Sequence, residues 1–414
     1  MRMLLSKRLG RAAFAAFMTA AIPVGAQVTG DAAFSQVEKG RYLAVLGDCA
    51  ACHTAPGLPP FAGGVVLQTP FGDLVAPNIT PDPETGVGRM SLQDFQSVMS
   101  RGIGKGGYHL YGAMPFTAYT KVTAQDNAAI WAYLQTLEPV KNKVEPNQLP
   151  FPFNIRASLI GWNLLNFTQG EFKADPAKSP DWNRGAYIVE GLGHCGTCHT
   201  PKNLIGGDKN SQFLEGATLQ GWFAPNITAD PHKGIGAWSE DEIVQYLKTG
   251  ANRFDIASGP MAELVEKSSQ HWTDADLKAV AVYLKAGRNG EAKAPSPLPA
   301  GDKLMIAGQA IFADRCMGCH LSNGAGVPKL FPRLAEAPLV NAGDPTSLIR
   351  VVLAGSRAGA TEAVPTGPAM PSFAWNLGDQ EIAAVLTYVR NSWGNAAAPV
   401  EAKDVATLRK TLAP

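Results

Sequence analysis

After its first 26 residues the sequence has no apolar run of about 18 residues, the length that a membrane-spanning helix needs. It also lacks any run of basic residues: charged residues make up 17% of the chain, and the formal net charge is +1. Nucleic-acid-binding proteins usually present a strongly basic face, so this composition argues against a nucleic-acid partner. Hydrophobic residues make up 45%, which favours compact folding over disorder.

The short motifs of several enzyme classes are also missing. The sequence has no nucleophile elbow, no Walker loop and no dinucleotide-binding fingerprint. The adjacent acids Glu240, Asp241 and Glu242 stand at a predicted helix start, where the helix dipole explains them better than acid–base catalysis does. We therefore expect no substrate-converting site on this chain.

The N-terminus has the features of a secretory signal peptide over residues 1–26. Four basic residues precede a short apolar stretch from Ala12 to Ile22, and the small residues Val24, Gly25 and Ala26 provide a cleavage site. An uncleaved anchor is the alternative, but the apolar stretch is short for a span. Cleavage would remove four basic and no acidic residues, so the net charge would fall from +1 to −3.

The chain has six cysteines, and all of them fall in Cys-x-x-Cys-His motifs: Cys49-Ala-Ala-Cys52-His53, Cys195-Gly-Thr-Cys198-His199 and Cys316-Met-Gly-Cys319-His320. This spacing is typical of covalent haem c attachment, in which two thiols bind the two vinyl groups and the adjacent histidine ligates the iron. Three disulfides, zinc sites or redox dithiols are the alternatives. None of them requires a histidine after every second cysteine, so we predict three covalent haem c groups.

The motifs belong to an internal repeat with a period of roughly 120–145 residues. We call the repeats unit one (34–140), unit two (181–287) and unit three (303–394), separated by linkers at 141–180 and 288–302 and followed by a tail at 395–414. Linker 288–302 is rich in Ala, Pro and Gly. We expect an all-α fold of three tandem class I cytochrome c-like domains.

Each unit is predicted to begin and end with a helix. The first helices are predicted at Gln36–Leu46, Asn183–Gly191 and Lys303–Ala313, and each carries a glycine that would allow a close helix crossing. The last helices are predicted at Ala124–Leu137, Asp274–Lys285 and Gln380–Trp393, opened by Thr123, Thr273 and Asp379. Units one and two also share a Pro-Asn-Ile-Thr segment, at 77–80 and 225–228, which unit three lacks.

The sixth iron ligand is predicted from methionines placed before the last helix of each unit. Met114 and Met261 lie at nearly equal distances after His53 and His199, and Met370 occupies the corresponding loop of unit three. Methionine ligation raises the haem potential. For any single methionine, packing is the usual role, which we assign to Met90 and Met99, while Met305 precedes its motif on the first helix of unit three. His109 and His271 remain rival ligands to Met114 and Met261, and His194 has no assigned role.

With both axial positions filled by His and Met, the predicted activity is outer-sphere electron transfer. Beyond these motifs, the segments Trp182-Asn-Arg-Gly-Ala-Tyr187, Gly221-Trp-Phe-Ala-Pro-Asn226 and Ser392-Trp-Gly-Asn395 support a resemblance. The chain resembles the triheme cytochrome c subunit of membrane-bound periplasmic dehydrogenases. That family serves alcohol dehydrogenase with pyrroloquinoline quinone (PQQ), and flavin-dependent gluconate, sorbitol and fructose dehydrogenases.

The resemblance implies a partner and a location. A separate flavin- or PQQ-dependent catalytic subunit, with a small third subunit in some complexes, would oxidise an alcohol or sugar. Electrons would then reach ubiquinone at the periplasmic side of the cytoplasmic membrane. The family docks on the membrane peripherally; here the candidate contacts are the apolar patch Leu159–Phe167, with Trp162 as an anchor, and the tail Val400–Leu412. A subunit interface is the alternative for the patch.

Three other functions stay open. The chain resembles the cytochrome subunit of molybdenum hydroxylases of the nicotinate or isoquinoline type in the same segments. It could also be an enzyme acting at an open haem, which a high-spin ferric signal would reveal. A free-standing electron shuttle would be released without detergent.

Overall fold

The computed structural model describes residues 30–287 and 295–412. Within these ranges the chain is mostly helical, and its strands form three two-stranded antiparallel hairpins, one in each unit. The prediction of a helical protein is confirmed, but the fold is not purely helical because of these hairpins. The predicted signal peptide lies outside the described residues.

Units one and two have the same order of α-helices and strands, with the hairpin after the helix of the cysteine motif, whereas in unit three the hairpin stands directly before the last helix. Unit one contains α1 (Gly30–Leu46), α2 (Cys49–His53), β1 (Val66–Thr69), β2 (Gly72–Val75), α3 (Leu92–Arg101), α4 (Phe116–Tyr119) and α5 (Ala124–Leu134). The first linker contains α6 (Ser158–Asn166). Unit two contains α7 (Pro180–Tyr187), α8 (Gly196–His199), β3 (Ala217–Leu219), β4 (Trp222–Ala224), α9 (Glu240–Thr249), α10 (Gly259–Lys267) and α11 (Asp274–Lys285). Unit three and the tail contain α12 (Lys303–Arg315), α13 (Met317–His320), α14 (Pro338–Asn341), α15 (Thr346–Ala354), β5 (Ser356–Arg357), β6 (Ala369–Met370), α16 (Asp379–Val389) and α17 (Ala402–Leu412).

The N-terminal caps of the last helices show how local sequence sets these boundaries. Thr123 and Thr273 cap α5 and α11 as predicted, each accepting a hydrogen bond from the backbone N–H three residues further on, over 3.2 Å. The predicted cap Asp379 is wrong, because α16 is capped by Gly378. The Gly378 N–H donates instead to the carboxylate of Glu381 over 2.7 Å.

The first and last helices of every unit cross at the predicted glycine. A Cβ placed on Gly40 would lie 1.9 Å from the carbonyl oxygen of Ala129 on α5. The equivalent distances are 2.0 Å from Gly185 to Ala279 and 2.2 Å from Gly308 to Ala384. These distances are far below van der Waals contact, so each crossing requires a residue without a side chain.

The first helix of unit two differs from that of unit one by a π-helical turn. One more residue separates Gly185 from Cys195 than separates Gly40 from Cys49. The segment Ile188–Leu192, which follows α7 directly, is π-helical and absorbs this extra residue. The insertion therefore falls between the helix crossing and the cysteine motif of unit two, where the backbone is kinked at Gly191 (φ −110°, ψ −105°).

Units one and two share a single hydrophobic core. The largest side chains with almost no exposure in this core come from both units: Leu43, Leu46 and Ile130 from unit one, and Ile188, Leu192 and Leu277 from unit two. Unit three has a separate core, built around α12, α15 and α16. Burial of apolar side chains at the junction therefore makes the first two units one packed body.

Unit three contacts unit two through α15 and β4. The Ser347 hydroxyl accepts a hydrogen bond from the Phe223 N–H over 2.8 Å and donates to the Phe223 carbonyl over 3.0 Å. The Arg350 guanidinium lies 4.8 Å from the centre of the Trp222 ring, within the range of a cation–π contact. Unit two therefore contacts both of its neighbours.

The tail does not form a free amphipathic surface. Val400 and Val405 are buried in the core of unit three, and Leu408 and Leu412 pack against it. The Arg409 guanidinium also pairs with the Asp379 carboxylate over 2.7 Å. The prediction of the tail as a membrane contact is wrong, because its apolar side chains are already covered by unit three.

The linker patch is only partly exposed. Leu159 is buried, and the half-buried Trp162 donates its indole N–H to the Ile205 carbonyl over 2.8 Å. Trp162 was predicted to be a membrane anchor, but its indole is already engaged within the protein. The exposed apolar side chains of α6 are Ile160, Leu164 and Leu165. Among the described helices, none combines the length and hydrophobicity needed to cross a bilayer.

Candidate haem sites

Each Cys-x-x-Cys-His motif forms a short helix directly after the first helix of its unit. The motif of unit one is α2, while Cys195 and Cys316 stand immediately before α8 and α13. No disulfide joins any of the six cysteines, and Cys319 alone among them is exposed. Two thiols and one imidazole therefore lie on a single helical turn at each site, which is the donor set that a covalent haem requires.

The three histidines share one hydrogen-bonding arrangement. Nδ1 of His53 lies 2.7 Å from the Pro77 carbonyl oxygen, Nδ1 of His199 lies 2.7 Å from that of Pro225, and Nδ1 of His320 lies 3.0 Å from that of Pro332. Because a carbonyl only accepts, Nδ1 carries the proton and the neutral ring keeps an unprotonated Nε2. The backbone carbonyl thus orients each imidazole with Nε2 available for a metal.

Burial supports the neutral state of these rings. Desolvation lowers the pKa of His53, His199 and His320, although the hydrogen bond to the proline carbonyl acts in the opposite direction. A neutral imidazole is the form that ligates iron. The residues of all three sites therefore fit a haem c group.

The proline carbonyls give the Pro-Asn-Ile-Thr segments a physical role. The Asn78 side-chain oxygen accepts hydrogen bonds from the N–H and hydroxyl of Thr80 over 2.9 and 2.8 Å, and Asn226 accepts the same pair from Thr228 over 2.7 Å each. This tight turn holds the preceding proline carbonyl against the histidine. Sequence analysis found the repeated segment but not its partner, because the segment lies more than 20 residues from the histidine.

The thiol pKa values argue against the other uses of a Cys-x-x-Cys pair. Burial raises the pKa of Cys49 to about 12 and the pKa of Cys52 and Cys316 to about 11. A redox dithiol needs a lowered thiol pKa. Within residues 30–287 and 295–412, no three His, Cys, Asp or Glu side chains converge as a metal cluster.

The predicted sixth ligands occupy three different local structures. Met114 stands in the turn before α4, Met261 in the first turn of α10, and Met370 at the end of β6, paired with Ser356. All three side chains are half-buried: Met114 and Met261 pack against the shared core, and Met370 against that of unit three. Of the three, Met261 alone lies in a helix.

The other methionines and histidines occupy positions that suit packing or solvent. Met99 and Met305 are buried within α3 and α12. His109, a rival of Met114, has its Nδ1 2.9 Å from the side-chain nitrogen of Asn163 on α6, and His271 is exposed. Ligation by Met114, Met261 and Met370 stays a prediction.

The sequence did not predict the conformation of the residue before the first cysteine. Asp48 and His194 hold this position in units one and two, and both have left-handed backbone, with φ of 50° and 39°. His194 places its Nδ1 3.0 Å from the Leu192 carbonyl, and its ring lies 5.5 Å from that of Tyr119. Burial, then the Glu263 carboxylate, raises the pKa of Asp48 to about 8. A positive φ at a non-glycine residue has no reliable sequence signal.

A family comparison agrees with the geometry. The cytochrome c family model matches residues 37–138 and 305–393, within units one and three. The chain is 40% identical to the gluconate 2-dehydrogenase cytochrome c subunit of Pantoea cypripedii, over 90% of this chain and 89% of that protein. It is 37% identical to the alcohol dehydrogenase (quinone) cytochrome c subunit of Gluconobacter oxydans, over 95% of this chain and 86% of that protein.

A further relative is a longer protein. It is one of the subunits of the nicotinate dehydrogenase of Pseudomonas putida, and it is 41% identical over 89% of this chain, but the match covers only 31% of that protein. The first two relatives, by contrast, correspond to this chain over nearly their whole length.

Proposed function

Since this chain belongs to the cytochrome c family, we propose that it is the triheme electron-transfer subunit of a periplasmic dehydrogenase that oxidises an alcohol or sugar. A separate flavin- or PQQ-dependent subunit would oxidise the substrate, and ubiquinone would receive the electrons. The observation that carries the proposal is the threefold repetition of one arrangement, in which a motif histidine donates through Nδ1 to a proline carbonyl.

Bound haem would supply a one-electron iron couple at each site. Cys49, Cys52, Cys195, Cys198, Cys316 and Cys319 would hold the porphyrins, and the irons would be ligated by His53, His199 and His320 together with Met114, Met261 and Met370. The chain itself supplies the orientation of each imidazole, the exclusion of water by the cores, and the spacing of the sites. Unit two, which contacts both neighbours, is suited to relay electrons between them.

The haem count tests this function directly. We expect the purified chain to exceed the mass of the apo-polypeptide by three haem groups, and the double variant Cys195→Ala/Cys198→Ala to exceed it by two. Intact-mass spectrometry after export in a strain that matures c-type cytochromes makes the measurement. A wild-type chain carrying fewer than three haem groups would refute the triheme function.

Peripheral membrane contact is proposed through a surface centred on α6. The exposed apolar side chains of this surface come from two segments. One is the first linker, and the other is the loop at Leu204 and Ile205, which the hydrogen bond of Trp162 connects to α6. They are Phe151, Phe153, Ile155, Ile160, Leu164, Leu165, Leu204 and Ile205. The sequence of α6 contains no charged residue. A cluster of uncharged apolar side chains of this kind suits the interface of a lipid bilayer, where ubiquinone dissolves.

Vesicle binding tests the membrane contact. The double variant Leu164→Ser/Leu165→Ser should lose at least half of the co-sedimentation with vesicles of mixed anionic and zwitterionic phospholipids. The reason is that the free energy gained by moving two leucine side chains from water into the bilayer interface is lost. Trp375→Ser, which removes an equally exposed aromatic residue from unit three, should bind as the wild type does. Unchanged binding of the α6 variant would reassign the surface to a subunit interface.

The alternative partner is a molybdenum hydroxylase of the nicotinate type. The observation in its favour is the similarity to the nicotinate dehydrogenase of Pseudomonas putida, which is as high as that to the gluconate enzyme. Purification of the native complex and identification of its cofactor as flavin, PQQ or molybdopterin distinguishes the two.

A further inference from the structure

Two tyrosines make reciprocal contacts across the junction between units one and two. The Tyr42 hydroxyl on α1 donates to the Asp276 carboxylate of unit two over 2.6 Å, and accepts from the Thr273 N–H over 3.2 Å. The Tyr187 hydroxyl on α7 donates to the Asp126 carboxylate of unit one over 2.6 Å. It also accepts from the Thr123 N–H over 3.2 Å, so the same contact occurs twice with the units exchanged.

Each aspartate is also fixed within its own unit. Asp126 pairs with Lys39 over 2.6 Å, and Asp276 receives two hydrogen bonds from the Arg184 guanidinium, over 2.7 and 2.8 Å. Burial opposes ionisation of Asp276, but the hydrogen bonds from Arg184 and Tyr42 outweigh it and lower its pKa. An ionised acceptor in a buried junction makes a strong hydrogen bond.

The phenols stay protonated and therefore act as donors to these carboxylates. Burial, followed by the hydrogen bond to the neighbouring aspartate, raises the pKa of both Tyr42 and Tyr187. Each tyrosine thus connects the first helix of one unit to the N-terminus of the last helix of the other. At that N-terminus the helix dipole favours the negative charge of the aspartate that accepts the hydrogen bond.

The two tyrosines stand on the helices that lead into the first two cysteine motifs. Tyr42 is seven residues before Cys49, and Tyr187 is eight residues before Cys195. Gly47 packs against Leu192 within the shared core. The Tyr119 hydroxyl donates to the Gly47 carbonyl over 3.2 Å, and the Tyr119 ring lies 5.5 Å from that of His194, the residue before Cys195. The two attachment motifs therefore begin close to one another at this junction.

Unit three has no counterpart of this contact. The residue two positions after its crossing glycine, Gly308, is Ala310, which has no hydroxyl group. In units one and two the same position is Tyr42 and Tyr187. The reciprocal contact therefore distinguishes the junction of units one and two from that of units two and three.

We propose that Tyr42 and Tyr187 are positioning residues that fix the distance and orientation between the first and second haem-attachment motifs, and so set the rate of electron exchange between those two sites. The inference rests on the proposed triheme function. Outer-sphere exchange slows steeply as the separation of donor and acceptor grows, so a small loosening of this junction has a large kinetic effect.

The double variant Tyr42→Phe/Tyr187→Phe, purified with its haem groups, provides the test. Phenylalanine keeps the ring packing and removes both hydroxyl groups. We expect a weaker exciton couplet in the Soret circular dichroism and a several-fold slower electron equilibration after rapid one-electron reduction, with unchanged midpoint potentials. Tyr111→Phe is the matched control, since the Tyr111 hydroxyl donates over 2.9 Å to the Phe153 carbonyl and does not join the two units; it should change neither readout.

Each other outcome has a defined meaning. A double variant with three haem groups, an unchanged couplet and an unchanged rate overturns the positioning role and leaves the triheme function standing. A slower rate accompanied by shifted midpoint potentials also overturns it, because driving force would then explain the change. If the double variant does not accumulate, the single variants, which each keep one contact, decide the question by the same two readouts. Fewer than three haem groups in the wild type would instead refute the proposed function.

Discussion

Gly185→Ala is expected to destabilise the protein by about 3 kcal/mol or more and to reduce haem attachment in unit two. The new methyl group would lie 2.0 Å from the Ala279 carbonyl oxygen and 2.7 Å from the Cβ of Tyr283, both on α11. Since the obstructing oxygen belongs to the helix backbone, rotation of a side chain cannot relieve the clash. The helices must separate, which opens the core that units one and two share.

Gly161→Ala is the matched control for this change. Gly161 lies inside α6, and a Cβ added there meets no atom within 4 Å. Alanine has the higher helix propensity, so this variant should be unchanged or more stable by up to about 1 kcal/mol. Urea unfolding followed by circular dichroism measures both variants. Equal stability of the two would show that the crossing at Gly185 tolerates a side chain.

Met261→Ala is expected to leave three haem groups attached but to change one of them. Loss of the thioether would convert one site to a weaker-field state and lower its midpoint potential by on the order of 0.1 V, within the roughly 0.8 V over which axial ligands set haem potentials. The other two sites should titrate as in the wild type. A potentiometric titration followed by visible absorption resolves the three sites.

Met99→Ala separates ligation from packing. Met99 is buried within α3, so its truncation should cost about 2–5 kcal/mol of stability while leaving all three potentials in place. If Met261→Ala behaved in the same way, Met261 would be a packing residue. His109→Ala and His271→Ala, which test the rival ligands, should leave the titration unchanged.

The donor sets of the predicted sites come from short-range patterns in the sequence. Two cysteines and a histidine within five residues predict a haem-attachment motif, and their repetition gives the number of predicted sites. The caps Thr123 and Thr273 and the crossing glycines Gly40, Gly185 and Gly308 were also predictable. Each of them depends on a short-range rule: a side chain that bonds a nearby N–H, or a helix face that must lack a side chain.

The errors arose where packing overrides local pattern. The tail was predicted as a candidate membrane contact, but Val400 and Val405 are buried in the core of unit three. Trp162 was predicted as an interfacial anchor, yet it is half-buried and its indole N–H donates to the Ile205 carbonyl. Hydrophobic periodicity shows that a face must be covered, and it does not show by what.

By itself, the amino-acid sequence determined the predicted cofactor, the repeat and the helices that bring each Cys-x-x-Cys-His motif to its place. The tertiary structure alone decided which carbonyl orients each histidine, which residues have left-handed backbone before Cys49 and Cys195, and how Tyr42 and Tyr187 join two units. The physical reason is the separation along the chain over which each interaction acts. Covalent spacing and capping act over a few residues, whereas a hydrogen bond such as that from Tyr42 to Asp276 exists only after the hydrophobic core has brought distant segments together.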